Sequence, residues 1–157
     1  MSSGQGPQFL AYENFTLGIR MKYPADWWKQ DQVGVPLVGF FSPPEGPTDF
    51  FRENLIVSIE EPPPGTTLQE YVDRSLAETG KTMPGFNVIA SQSATLSNLP
   101  AFEMLFNWSP GPIILQCKLI SALSGNRSYT LSYTAEQGKY EKFLGSAQMM
   151  MDSFEIA

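Results

Sequence analysis

Apolar and polar residues alternate in several short segments of the chain. In residues 54–61, Leu55, Val57 and Ile59 alternate with a second set of residues that includes Ser58. A strand with one buried face shows this period of two, so the segment is predicted to be a β-strand. Comparable β-prone segments predict further strands at residues 9–12, 17–23, 37–42, 86–96, 101–108, 113–123 and 127–136.

The connections between the last four predicted strands are short. Their turn residues lie at positions 98–100, 109–112 and 124–126. Such connections join antiparallel neighbours, because a parallel pair needs a crossover of about a dozen residues or more. We therefore expect this part of the chain to form a meander of antiparallel strands.

In two longer segments, apolar residues recur with the period of an α-helix. Thr67 and Glu70 match a capping box, in which each side chain accepts a hydrogen bond from the other residue's backbone N–H, and an apolar stripe follows. The patterns predict two long helices at about residues 67–81 and 138–152. The segment at residues 24–30 begins with a proline, which predicts a single helical turn there. Helices beside an antiparallel sheet indicate an α+β fold.

The composition is typical of one globular domain. The chain has 157 residues, of which 42% are hydrophobic and 13% aromatic, and this is enough to form a single core. We expect a flexible tail at residues 1–8 and one domain at residues 9–157. Because the chain has neither a leader-like start nor a long apolar run, we expect it to be soluble, without a targeting signal or a transmembrane segment.

The charge balance argues against nucleic acid as a partner. Lys and Arg number 10 against 16 Asp and Glu, which gives a net charge of −6 at pH 7. Proteins that bind nucleic acid gain affinity by neutralising phosphates with basic residues, and this chain has the opposite balance.

The residues that many enzymes use at neutral pH are scarce. The chain contains no histidine and a single cysteine, Cys117, so a Ser-His-Asp triad, a Cys-His pair and an intrachain disulfide are all excluded. Cys117 lies in the apolar run at residues 113–119 and is expected to be buried and inert. We therefore expect no catalytic residue, no cofactor and no enzymatic activity.

Three carboxylates, Glu45, Asp49 and Glu53, recur every four residues in and after a proline-rich loop at residues 43–49. Oxygen ligands of this kind suit Ca²⁺, but the segment lacks the acidic spacing and the glycine of a calcium-binding loop. We expect solvated loop charges and no metal site. On this basis, added Ca²⁺, Zn²⁺ or Mn²⁺ is expected to leave the melting temperature unchanged.

Aromatic residues in this half of the chain are candidates for contact with a protein. Trp27 and Trp28 are adjacent and cannot both point inward, and Phe50 and Phe51 follow the proline-rich loop. Loops held on a rigid scaffold often carry binding residues, and aromatic residues dominate many interfaces. We therefore predict that a protein partner contacts Trp27, Trp28, Phe50, Phe51 and Arg52.

A pocket for a small ligand is the alternative function. Phe102, Phe106 and Trp108 form a bulky row on one predicted strand, and Phe143 lies on the second predicted helix. If these side chains met between sheet and helix, they would line an apolar pocket suited to a small-ligand sensor or a lipid carrier.

The order of short motifs along the chain resembles that of the PsbP-like family. Residues 12–27 read YENFTLGIRMKYPADW and are similar to the family's opening, Y-x-N-x-x-x-G-I-x-x-x-Y-P-x-x-W. Further motifs occur in the family's order: FSP at 41–43, ENLIVSI at 53–59, TLQEY at 67–71, YTLSYTA at 129–135 and MDSF at 151–154. The resemblance covers residues 9–156.

This resemblance implies an α/β/α sandwich with a central, mostly antiparallel sheet flanked by two long helices. Bacterial DcrB-like proteins and a Ran-binding nuclear import factor share that fold. Photosynthetic members are non-catalytic extrinsic or assembly proteins at the lumenal face of photosystem II in the thylakoid. The resemblance therefore implies an accessory protein that binds a protein partner, such as a membrane-associated complex. The chain has no histidine to match the metal ligands proposed in plant members.

Overall fold

The computed structural model describes residues 8–31, 37–47, 49 and 51–157. The strands in these ranges are β1 (Phe9–Asn14), β2 (Ile19–Pro24), β3 (Trp28–Asp31), β4 (Leu37–Phe41), β5 (Asn54–Glu60), β6 (Asn87–Leu96), β7 (Leu99–Trp108), β8 (Leu115–Ser124), β9 (Arg127–Glu136) and β10 (Glu155–Ile156). The helices are α1 (Leu68–Thr82) and α2 (Tyr140–Ser153), and a 3-10 turn, Gln137–Lys139, precedes α2. Neither helix in this part of the chain has the length and apolar character that crossing a membrane requires.

The strands form two sheets in which neighbours run antiparallel. Seven strands lie in the order β3-β4-β5-β9-β8-β7-β6, and a smaller sheet has the order β1-β2-β10. From β6 to β9 each strand pairs with the next strand of the chain, so the predicted meander is confirmed. The chain therefore has a mixed α+β fold with antiparallel sheets and two helices.

The structure differs from the sequence-based prediction in residues 24–30. The Trp27 N–H donates to the Pro24 carbonyl at 3.0 Å and closes a turn, but Trp28 then begins β3 and pairs with Phe41. The predicted helical turn is therefore wrong after residue 27, because pairing with β4 satisfies the backbone groups of the following residues.

The helices have 15 residues in α1 and 14 in α2. Both are close to the average length of helices in globular proteins, so the prediction of two helices is confirmed and their description as long is not. The sequence also gives no sign that β10, which has only two residues, completes a separate small sheet with β2.

One face of the large sheet lies against the main core. Side chains alternate along β9, so Tyr129, Leu131, Tyr133 and Ala135 point to the same side and are buried. α2 and the small sheet add buried side chains to this cluster. The Tyr133 hydroxyl donates to the backbone carbonyl of Tyr140 at 2.7 Å, and this bond ties β9 to the first residue of α2.

α1 covers part of the opposite face. It packs on β7 and β8, where Met104, Phe106 and Cys117 form a smaller buried cluster with Leu76 and Met83 against it. The β3–β4 end of this face is separated from β7 and β8 by the strands β5 and β9.

β6 is an end strand of the large sheet. It pairs with β7, with a register shift between Val88 and Ala90, and most of its ten residues are exposed. Its sequence, NVIASQSATL, contains no charged residue and no proline. As an end strand, it directs one row of backbone N–H and C=O groups away from its partner.

The predicted capping box at the start of α1 is confirmed. The Thr67 hydroxyl accepts a hydrogen bond from the Glu70 N–H at 3.1 Å, and the Glu70 carboxylate accepts one from the Thr67 N–H at 3.0 Å. Both groups therefore satisfy backbone donors that the first turn of the helix leaves without partners.

We expect Thr67→Ala to lower the free energy of unfolding by about 1 kcal/mol, because alanine cannot accept the hydrogen bond from residue 70. Urea denaturation followed by circular dichroism measures the change. Thr67→Ser keeps the hydroxyl and should remain near the wild-type value, so equal losses in the two variants would contradict the capping role.

Trp27 belongs to the main core. Its side chain is 6% exposed and packs edge-on against Phe143 of α2, with ring centroids 6.3 Å apart. Trp28, the next residue, is 55% exposed. The turn and the strand that begins after it therefore send the two adjacent indole rings in different directions.

We expect Trp27→Ala to lower the free energy of unfolding by about 3 kcal/mol or more, as truncation of buried aromatic residues does, and Trp28→Ala to lower it by less than about 1 kcal/mol. Denaturant melts of the two variants, measured side by side, test this contrast. Similar losses at both positions would show that the two rings are not divided between core and surface.

Candidate functional site

An aromatic cluster lies on the β3–β4 end of the sheet face that also carries α1. Register places Trp28 opposite Phe41, and Gly39 opposite Ile56. Residues two apart on a strand point to the same side, so these side chains share one face. We call this surface the Trp28 face and include in it Arg52, whose guanidinium lies 5.4 Å from the Trp28 ring centroid.

Gly39 provides the space in which Phe41 lies. A Cβ atom on Gly39 would come within 2.8 Å of Phe41 Cε2 and 3.0 Å of Ile56 Cδ1. The Phe41 ring is therefore folded back over bare backbone, where it lies beside Trp28 with ring centroids 6.1 Å apart. This arrangement gives the exposed indole a firm apolar neighbour on one side.

Arg52 is a second neighbour of the indole. Its Nε donates to the backbone carbonyl of Ser42 at 2.9 Å, so the guanidinium does not depend on the ring alone for its position. A cation over the face of tryptophan is attracted by the negative charge of the π-system. Trp28 thus lies beside both Phe41 and Arg52 while 55% of it stays exposed to solvent.

The structure divides the residues predicted to contact a protein. Trp28 and Arg52 meet on the Trp28 face, and Phe51 is partly buried. Trp27 is buried, and a residue inside the core offers little surface to a partner, so it is not part of this face. Phe50 lies outside the described residues. The contact itself remains a prediction.

Sequence reasoning missed Phe41, Gly39 and Ile56 as members of this face. The pattern at residues 37–42 predicted the strand but gave no register against its neighbours. A usable signal was the glycine inside the strand, because glycine there often marks a close approach of another group.

The alternative ligand pocket is not formed. Phe106 belongs to the cluster under α1, and Phe102 and Trp108 pack against it. Phe143 packs instead on the main core, on the other side of the sheet. The four side chains therefore cannot line one pocket, because alternation along β7 directs its bulky row away from α2.

A polar surface cleft lies elsewhere, at the end of α2. It has a volume of about 460 Å³ and its lining includes Thr95, Asn98, Asp152 and Glu155. These side chains do not match the apolar lining expected of a lipid carrier.

The loop carboxylates Glu45, Asp49 and Glu53 come together beside the start of α2. The expectation of solvated charges is wrong for two of them, since Glu53 is 0% exposed and the Asp49 side chain 3% exposed. Burial raises the pKa of the Glu53 carboxyl above its ordinary value. The Glu45 N–H donates to Asp49 Oδ2 at 2.9 Å, which folds the loop back on itself.

Two lysines from the other end of the chain reach these carboxylates. Lys139 Nζ lies 3.2 Å from carboxylate oxygens of Glu45, Asp49 and Glu136, and Lys142 pairs with Glu45. The hydrogen bond to Asp49 raises the pKa of Lys139. The ammonium groups therefore hold the loop against the start of α2.

Cys117 is buried as predicted, with 4% of its surface exposed. Burial raises the pKa of its thiol to about 12. The thiolate is the nucleophilic form of cysteine, so burial and a thiol that stays protonated at neutral pH both protect this residue from reaction.

Comparisons with solved structures show the same fold. PsbP of the cyanobacterium Synechocystis matches with a TM-score of 0.71 and 15% identity, over 100% of this chain and 97% of that chain. PA94 of Pseudomonas aeruginosa matches with a TM-score of 0.68 and 16% identity, over 93% and 95%. The Ran-binding protein Mog1p of Saccharomyces cerevisiae matches with a TM-score of 0.63 and 10% identity, over 96% of each chain.

Comparisons at the level of sequence identify a family. A comparison with curated proteins gives no match. The model of the DcrB family matches residues 21–149, which include the whole seven-stranded sheet, α1 and most of α2. The predicted PsbP-like and DcrB-like relationship is therefore confirmed, and the chain belongs to the DcrB family.

Proposed function

We propose that this protein is a non-catalytic accessory protein that binds a protein partner through the Trp28 face. The observation that carries the proposal is the position of Trp28, which is 55% exposed yet lies beside both Phe41 and Arg52. An exposed indole fixed in this way loses little conformational entropy when a partner covers it, which favours affinity.

The residue types of the Trp28 face suit a protein interface. Tryptophan and arginine are the residues most often found to dominate binding energy, and they do so at the centre of well-packed patches. Phe41 and Ile56 are each partly exposed beside them. A partner that covers this face would bury apolar area and could direct a carboxylate toward the Arg52 guanidinium.

The comparisons support a binding role without naming the partner. Mog1p is described as a Ran-binding protein, and the Synechocystis relative as a PsbP. We propose in finer detail that the domain is an α/β/α sandwich that serves as an accessory subunit of a membrane-associated complex, as an extrinsic protein of photosystem II would. The net charge of −6 disfavours nucleic acid as the partner.

We expect Trp28→Ala to weaken partner binding at least tenfold, because it removes the central ring of the face. The matched control is Phe15→Ala, which removes an aromatic ring that is 89% exposed in the turn between β1 and β2. Wild type and both variants would serve as bait in an extract of the source organism. Partners identified by mass spectrometry would then be titrated with purified protein.

The expected result is that Phe15→Ala retains every partner of the wild type, while Trp28→Ala loses at least one and keeps a wild-type circular dichroism spectrum. Retention of all partners by Trp28→Ala would contradict the proposed interface. Equal losses in both variants would indicate adhesion to exposed aromatic residues instead of recognition.

The proposed absence of catalysis leads to an expectation for Cys117. Because burial raises the pKa of its thiol to about 12, we expect this cysteine to react with a thiol reagent such as DTNB only after unfolding. The reaction is followed by absorbance at neutral pH, with and without denaturant. Rapid labelling of the native protein would refute its assignment as an inert core residue.

A further inference from the structure

Two buried oxygens near the loop carboxylates have no hydrogen-bond partner among the described residues. They are Glu53 Oε1 and Ser42 Oγ, and both residues are 0% exposed. The other oxygen of the carboxyl, Glu53 Oε2, accepts from the Glu136 N–H at 3.3 Å. A buried carboxylate oxygen without a donor is costly, so an oxygen of this kind normally carries a proton or faces a cation or water.

The two unpartnered oxygens belong to residues that are neighbours across two strands. The Ser42 N–H donates to the Glu53 carbonyl at 2.8 Å, which extends the pairing of β4 with β5 by one step. Glu53 is itself one of the converging loop carboxylates, and Ser42 lies directly before the proline-rich loop.

The spacing of the loop carboxylates fits one cation. One oxygen from each of Glu45, Asp49 and Glu53 lies within 4.8 Å of the other two. Calcium binds oxygen at about 2.3–2.6 Å, so two of its ligands can be up to about 5 Å apart, whereas Mg²⁺ bonds of about 2.1 Å limit the separation to about 4.2 Å. A calcium-sized ion can therefore span any two of the three groups as they stand, and a shift of a few tenths of an ångström at most brings all three within its bonding distance.

The charge of the cluster also favours a cation. Four carboxylates, those of Glu45, Asp49, Glu53 and Glu136, face two ammonium groups, those of Lys139 and Lys142. When all are ionised, four negative charges against two positive ones leave −2.

We propose that Glu45, Asp49 and Glu53 form a binding site for a divalent cation of the size of calcium. The donor set is all oxygen, which suits a hard cation better than Zn²⁺. The ion would sit where the loop meets the start of α2 and share the carboxylates with Lys139. This site is separate from the Trp28 face and does not depend on the proposed function. It replaces the sequence-based expectation of no metal site.

Titration of the full chain with Ca²⁺ tests the proposal. We expect a saturable heat in isothermal titration calorimetry and a rise in the melting temperature that follows the same saturation, because a ligand of the native state stabilises it. Mg²⁺ should bind at least tenfold more weakly. The absence of both responses at about 10 mM Ca²⁺, above the range of weak protein calcium sites, would overturn the proposal.

Three variants assign the response to the site. Glu53→Gln and Glu45→Gln each remove one ligand charge and should weaken Ca²⁺ binding at least tenfold. Glu78→Gln, on an exposed position of α1, is the matched control and should bind like the wild type. If Glu53→Gln does not fold, Glu45→Gln decides the question, since its side chain is 24% exposed. Unchanged affinity in Glu45→Gln, or an equal loss in Glu78→Gln, would show that the ion binds elsewhere.

Discussion

The pairing of β5 with β9 is the interaction on which the large sheet depends. It joins β3–β5 to the meander of β6–β9, and its register places Leu55 opposite Tyr133 and Val57 opposite Leu131. These four side chains are almost fully buried, so a slip of one residue would turn them toward the other face and expose the core. Burial of side chains far apart in sequence therefore sets the register of β5 against β9. The positions of the residues on both faces of the sheet depend on this register.

Both functional candidates follow from this pairing. Extension of β5 at its start brings Glu53 beside the Glu136 N–H at the end of β9. The two lysines that meet the loop follow within a few residues, Lys139 in the 3-10 turn and Lys142 in α2. On the other side of the sheet, β5 carries Ile56 into the Trp28 face. One ladder of hydrogen bonds thus positions a charged cluster near α2 and an aromatic surface at the β3–β4 end.

Local features of the fold were accessible from the sequence, and non-local features were not. The capping box needs only Thr67 and Glu70, and the meander needs only short turns, so both are encoded within a few residues. The direction of Trp27 and Trp28 depends on whether residue 28 pairs with β4, which local propensity cannot decide. The burial of Glu53 depends on Glu136, which is 83 positions away, and its loop context alone suggested a solvated charge.

The motif order indicated the family although its individual motifs are short, because six motifs in one order are more specific than any one of them. The aromatic surface could be predicted only in part. The sequence singles out Trp28 and Arg52 as contact residues, whereas Phe41 joins them through the register of β3 and β4. Side chains that meet across strands become neighbours only when the sheet exists.

The exposed end strand β6 has a consequence for how the protein behaves in concentrated solution. Its ten residues carry no charge, while the other end strand, β3, carries the ion pair of Lys29 and Asp31. Apart from the register shift between Val88 and Ala90, edge-to-edge association at β6 is therefore opposed mainly by the net charge of the whole molecule, −6 at neutral pH. Near the isoelectric point, about pH 4.6, that long-range repulsion vanishes. The protein is then least protected against association at β6, because this edge carries neither a charged residue nor a proline.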